Sequence, residues 1–128
     1  MRQILPQAGF GPITLVTRGP DKLDAFATGA DGRVYAAAWE PGDAAWRGWW
    51  AINGLEAAPG APVSAVSRAQ AKLDVFVVGI DGHVYGAAWE PGDTVWRGWC
   101  RIGELTAPLH APIAAVSRSA DLLDLFVG

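Results

Sequence analysis

Two stretches carry the side chains best suited to chemistry. Trp39-Glu40-Pro41-Gly42-Asp43 is followed by Trp46-Arg47, and Trp89-Glu90-Pro91-Gly92-Asp93 by Trp96-Arg97. An indole offers a broad apolar face that can stack on the C–H face of a sugar, while its N–H takes a hydroxyl. A neighbouring Arg–Glu pair can orient two adjacent hydroxyls, the guanidinium donating from its fixed fork and the carboxylate accepting. Trp39, Glu40, Trp46, Arg47, Trp89, Glu90, Trp96 and Arg97 are therefore the candidate ligand-binding residues. A plainer reading stands beside this one. Tryptophans also fill wedge-shaped gaps between packed sheets, which suits Trp49 and Trp99 on their apolar strands. A surface Arg–Glu pair is also a salt bridge worth about 0–1 kcal/mol. Both readings stay open at this point.

Other chemistries find little to work with. The two histidines, His83 and His110, stand where the other stretch has Arg33 and Gly60. No nucleophile–base pairing and no metal-ligand spacing recurs, so neither catalysis nor a metal or cofactor is expected. The single cysteine, Cys100, excludes an intrachain disulfide. Its counterpart is Trp50, so no repeated role holds that position, and a partly buried apolar role is expected.

What must position these residues is a repeat. LDVFVVGIDGHVYGAAWEPGDTVWRGW, from Leu73, answers LDAFATGADGRVYAAAWEPGDAAWRGW, from Leu23, and LDLFVG begins again at Leu123. The period is 50 residues, and more than half of the positions in 11–60 match those in 61–110. A fixed period of this size marks a repeat architecture. The expected organisation is a linker or repeat tail over 1–10, repeats over 11–60 and 61–110, and a partial repeat over 111–128.

Each repeat reads as four strands. Pro12–Arg18 is short and β-branched, and Leu23–Ala27 follows a variable loop. In the second strand Asp24 shares a face with Phe26. An aspartate flanked by apolar residues needs a partner if buried, and for Asp24, Asp74 and Asp124 the candidates are backbone amides of a neighbouring loop or the repeated Arg18, Arg68 and Arg118. Asp31-Gly32 and Asp81-Gly82 predict tight type I′ hairpins, leading to strands Val34–Trp39 and Val84–Trp89. Glu40-Pro41-Gly42-Asp43 predicts a second turn. Trp46–Ile52 and Trp96–Ile102 complete the sets. No segment reads as a helix.

Bulk properties narrow the partners. The 128 residues carry a net charge of −3, which argues against binding the phosphates of nucleic acid. No apolar run is long enough to predict a membrane-spanning helix, and MRQILPQAGF lacks the apolar core of a signal peptide.

The pattern LDxFxxGxDGxVYxAAWEPG…WRGWxxI resembles the repeat of the PLL-type bacterial lectins and of related repeats attached to secreted bacterial proteins. The resemblance covers nearly the whole chain. It rests on the D-x-F strand, the D-G-x-V-Y hairpin and the aromatic WxGW strand. It implies an all-β fold, a β-propeller of four-stranded antiparallel blades, with pockets between adjacent blades for fucose or O-methylated sugars. It also implies a secreted or cell-surface location. Two full repeats and part of a third fall short of the roughly four to eight blades of a closed ring. Ring completion by homo-oligomerisation is therefore expected. The alternative is a non-catalytic interaction scaffold, a fragment or an engineered propeller, with no sugar ligand.

Overall fold

The computed structural model describes residues 10–69, 72–119 and 122–127. The expected N-terminal linker lies, except for Phe10, outside the described residues. The chain is all-β. Ten strands form three antiparallel sheets, and the described residues contain no helix.

Strands β1 (Thr14–Gly19), β2 (Lys22–Thr28), β3 (Val34–Trp39) and β4 (Arg47–Ile52) make the first sheet in sequential order. Strands β5 (Ser64–Ala69), β6 (Lys72–Val78), β7 (His83–Trp89) and β8 (Cys100–Thr106) repeat that order in the second. Strands β9 (Ile113–Ser119) and β10 (Leu122–Val127) form the third. Only consecutive strands pair, as short hairpin connections favour. Equivalent residues keep the same register: Asp24 lies opposite Val16, Asp74 opposite Val66, and Asp124 opposite Val116.

Because side chains alternate across a strand, each sheet has two faces, and both are apolar where sheets meet. The face of the first sheet toward the second carries Val16, Phe26, Val34, Ala36 and Ile52. Against it the second sheet sets Ala65, Leu73, Val75, Val77 and Ala87, with Trp89, Trp96 and Trp99 around them. The opposite face of the second sheet packs Val66, Phe76, Val84 and Ile102 against Ile113, Ala115, Leu123 and Leu125 of the third. Backbone and hydroxyl bonds fasten the same joints. Thr14 Oγ1 donates to Val63 O at 2.5 Å, and Ser64 Oγ donates to Ile113 O one repeat later. Ala57 N donates to Gly32 O, and Ala107 N to Gly82 O.

Three local expectations need correcting. The Asp-Gly hairpins close one step earlier than a type I′ turn centred on Asp31-Gly32. Gly32 N donates to Gly29 O, so Gly32 is the closing residue of the turn and not a central one, at a φ of 80°, and Gly82 repeats this at 83°. Asp31 is freed to accept from Arg33 N at 3.0 Å and from the Tyr35 hydroxyl at 2.5 Å, which fixes the turn. Second, β8 begins at Cys100, so the first four residues of the expected strand Trp96–Ile102 lie outside it. The Trp99 indole donates across the joint to Ile52 O at 3.0 Å, while Arg97 N still donates to Ala88 O at 2.9 Å. Third, Cys100 is exposed, not partly buried. The Glu40–Asp43 turn forms as expected: Asp43 N donates to Glu40 O, and Gly42 takes a φ of 92°.

Candidate functional site

The joint between the first and second sheets opens into a cleft of about 510 Å³. Its two walls differ in chemistry. The first sheet contributes Arg18, Asp24, Glu40 and Arg47, with Ala36 and Ala38 between them. The second contributes Leu73, Trp89 and Trp96, with Thr94 and Val95 at the mouth.

Strand register explains the charged wall. Val16 pairs with Asp24, Asp24 with Ala38, and Ala38 with Arg47, so these residues share one face of the sheet. The small alanines leave room above the backbone. Arg18 Nε donates to Asp24 Oδ2 at 2.5 Å. Burial pushes the Asp24 carboxyl above its ordinary range, and the guanidinium offsets that only in part. Glu40 sits among three cations, with Arg47 Nη1 at 3.6 Å and Arg18 Nη2 and Lys22 Nζ each at 3.8 Å. Arg47 is anchored by Asp43, to which its Nη2 donates at 2.7 Å. That bond holds the Asp43 carboxyl below the usual carboxylate range. Asp43 also accepts from Glu40 N at 3.0 Å and so ties the turn to the arginine.

The aromatic wall is also held in place. Trp96 and Phe26 meet at nearly a right angle with ring centroids 5.6 Å apart, and Trp89 lies 5.8 Å from Trp96 at a tilt of 53°. Such geometries are worth about 0.5–1.5 kcal/mol beyond burial. Both indoles are half-buried and line the cleft.

The eight sequence candidates therefore divide. Glu40, Arg47, Trp89 and Trp96 meet in one cleft, drawn from different repeats. Trp39, Trp46, Glu90 and Arg97 do not line it. Glu90 and Arg97 hold on the second sheet the positions of Glu40 and Arg47, and pair with each other at 3.0 Å. Trp39 and Trp46 hold on the first sheet the positions of Trp89 and Trp96. The Trp39 indole donates to Asp43 O at 3.3 Å.

Sequence reasoning assigned Arg18 and Asp24 to structure, yet both line the cleft. Their repetition signalled importance without saying which surface they serve. Trp50 and Thr94 also line it, and neither repeats, so periodicity gave no signal for them.

Compared with known proteins, the chain matches no family model and no curated protein.

Proposed function

We propose that the chain is a non-enzymatic carbohydrate-binding module: part of a β-propeller whose sugar sites lie between adjacent blades. The observation that supports it most is the cleft between the first two sheets, with a tryptophan wall opposite an arginine–carboxylate wall. A pyranose offers one apolar C–H face and a rim of hydroxyls. In the proposed complex its C–H face lies on Trp89 or Trp96. Its hydroxyls donate to Glu40 and accept from Arg47, whose guanidinium has donors beyond those given to Asp43 and Glu40.

Fucose or an O-methylated sugar is the preferred ligand, because the repeat resembles that of the PLL-type lectins. Further copies of the chain complete the ring, and several weak sites on it would gain apparent affinity for a glycan surface through effective concentration. A secreted or cell-surface setting fits such a role.

A second reading, an interaction scaffold without a sugar ligand, draws on the exposed Trp50 and Val95 at the mouth of the cleft. Isothermal titration with fucose and with methylated fucosides, backed by a glycan array, separates the two. Saturable binding at millimolar sugar or below supports the lectin reading. No heat and no array signal at that concentration leaves only the scaffold.

A further inference from the structure

The cleft between the first two sheets is larger than one sugar ring needs. Its volume of about 510 Å³ falls in the range of about 300–1,000 Å³ that encloses drug-sized ligands, and a single pyranose is much smaller than those. Glu40, Arg47, Trp89 and Trp96 account for only part of the lining. The remainder includes residues that the repeat does not copy. Trp50 and Asn53 line the cleft from the first repeat, and their counterparts in the second are Cys100 and Gly103. Thr94 and Val95 line it from the second repeat, where the first has Ala44 and Ala45. Two closely similar repeats thus differ at four residues that meet in one cleft.

Strand register fixes where Trp50 stands. Phe26 pairs with Ala36, and Ala36 with Trp50, so the three form a row across the inner face of the first sheet. Neighbouring strands lie about 4.8 Å apart, which puts Trp50 about 10 Å across the sheet from Phe26. The Ala36 methyl fills little of that width. Trp96 rests against Phe26 at one end of the row, and Trp50 stands at the other, on the edge strand β4. The next row is Asp24, Ala38 and Arg47, about 7 Å along the strands. Trp50 therefore lies beside the Arg47 position, one row further along the same strand. Phe26, in its own row, is 0% exposed, whereas Trp50 is 51% exposed. Its indole is an open apolar surface on the wall of a cleft.

We propose that this cleft takes two linked sugars, with Trp50 as the platform for the second. The inference rests on the carbohydrate reading above, in which the first ring lies between Glu40 and Arg47 on one side and Trp89 or Trp96 on the other. The second ring, joined through the glycosidic oxygen, sets its C–H face on the Trp50 indole. The exposed Asn53 amide, which both donates and accepts, meets its hydroxyls beyond the end of β4. The second repeat has no means to do the same, since Cys100 offers no ring and Gly103 no side chain. Trp50 is thus a specificity-determining residue, selecting a disaccharide over a free monosaccharide.

Isothermal titration of the native chain, Trp50→Ala and Trp50→Phe tests this, with fucose and with fucosyl disaccharides of several linkages. The substituted position is exposed, and circular dichroism melts check that each variant folds. The best disaccharide is expected to bind the native chain about tenfold tighter than fucose, the gain of one added aromatic contact. Trp50→Ala is expected to bind fucose as the native chain does and to lose the disaccharide gain. Trp50→Phe, which keeps a ring, is expected to retain most of it.

Disaccharides that bind the native chain no tighter than fucose overturn the second sugar position and leave the carbohydrate reading standing. So does a disaccharide gain that survives Trp50→Ala, or a folded Trp50→Ala that loses fucose and disaccharide alike. A native chain that binds neither sugar sinks the carbohydrate reading and this inference with it.

Discussion

The three equivalent phenylalanines allow packing to be measured within one molecule. Phe26, Phe76 and Phe126 share a repeat position and a residue type, yet they are 0%, 4% and 67% exposed. Truncating a core phenylalanine to alanine costs about 3–5 kcal/mol, through lost transfer energy and the cavity left behind. Phe26→Ala and Phe76→Ala should fall in that range. Phe26→Ala also removes the ring against which Trp96 stands. Phe126 keeps about a third of its surface buried, so the area-proportional cost of Phe126→Ala is about 1–1.5 kcal/mol. Urea unfolding at low protein concentration reads these values from the midpoints at constant slope. Equal costs for Phe76→Ala and Phe126→Ala at the lowest concentration would refute the account of where the core ends.

Other expectations follow from single residues. Thr28 is fully buried and its hydroxyl has no partner among the described residues, while the second repeat has Val78 at that position. Thr28→Val should raise stability by about 1 kcal/mol in the same titration, and an unchanged midpoint would show the hydroxyl to be satisfied. Gly32 and Gly82 share positive φ, but an added Cβ would lie 2.5 Å from Ala57 O at Gly32 and no closer than 3.7 Å to Ala107 O at Gly82. Gly82→Ala should cost about 1–2 kcal/mol from conformation alone and Gly32→Ala distinctly more, as thermal melts will show. Asp31, Asp43, Asp81 and Asp93 all titrate below the usual carboxylate value, through hydrogen bonds from Tyr35, Arg47, Tyr85 and the Glu90 amide respectively. A depressed folded-state value means stability that is present above the unfolded value of 3.8 and lost as pH falls below it. Asp24 has the opposite sign, its raised value making ionisation unfavourable as pH climbs past 3.8. Asp43→Asn should therefore flatten the acid limb of a stability–pH curve, and an acid limb as steep as the native one would count against the Asp43–Arg47 tie.

Much of this architecture is legible in the residues because the fold is local. Val34–Trp39 forms β3 as read, and Pro41-Gly42 sets its turn, since both depend on neighbours in sequence. The Arg18–Asp24 and Arg68–Asp74 pairs were visible as repeated opposite charges. What the sequence hides is the assignment of faces. A period equates Glu40 with Glu90 and Trp46 with Trp96, but it does not say that Glu40 meets Trp96 across a joint. That depends on the packing of sheets 50 residues apart. The bond from the Trp99 indole to Ile52 O was hidden for the same reason, since it joins residues 47 apart in sequence. Asp43 read as a turn residue, and its capture of Arg47 depends on where β4 returns.

The central claim is that one complete ligand cleft is assembled from unlike walls of successive repeats. Matched variants test it most directly, with a saturating sugar followed by isothermal titration. The native chain should bind one sugar per chain. Glu40→Gln and Trp89→Ala should each weaken binding at least tenfold, while Glu90→Gln and Trp39→Ala, at the equivalent positions of the other repeat, should leave affinity and stoichiometry unchanged. Equal losses from both members of each pair, or two sugars bound per chain, would contradict a cleft built from one wall of each repeat.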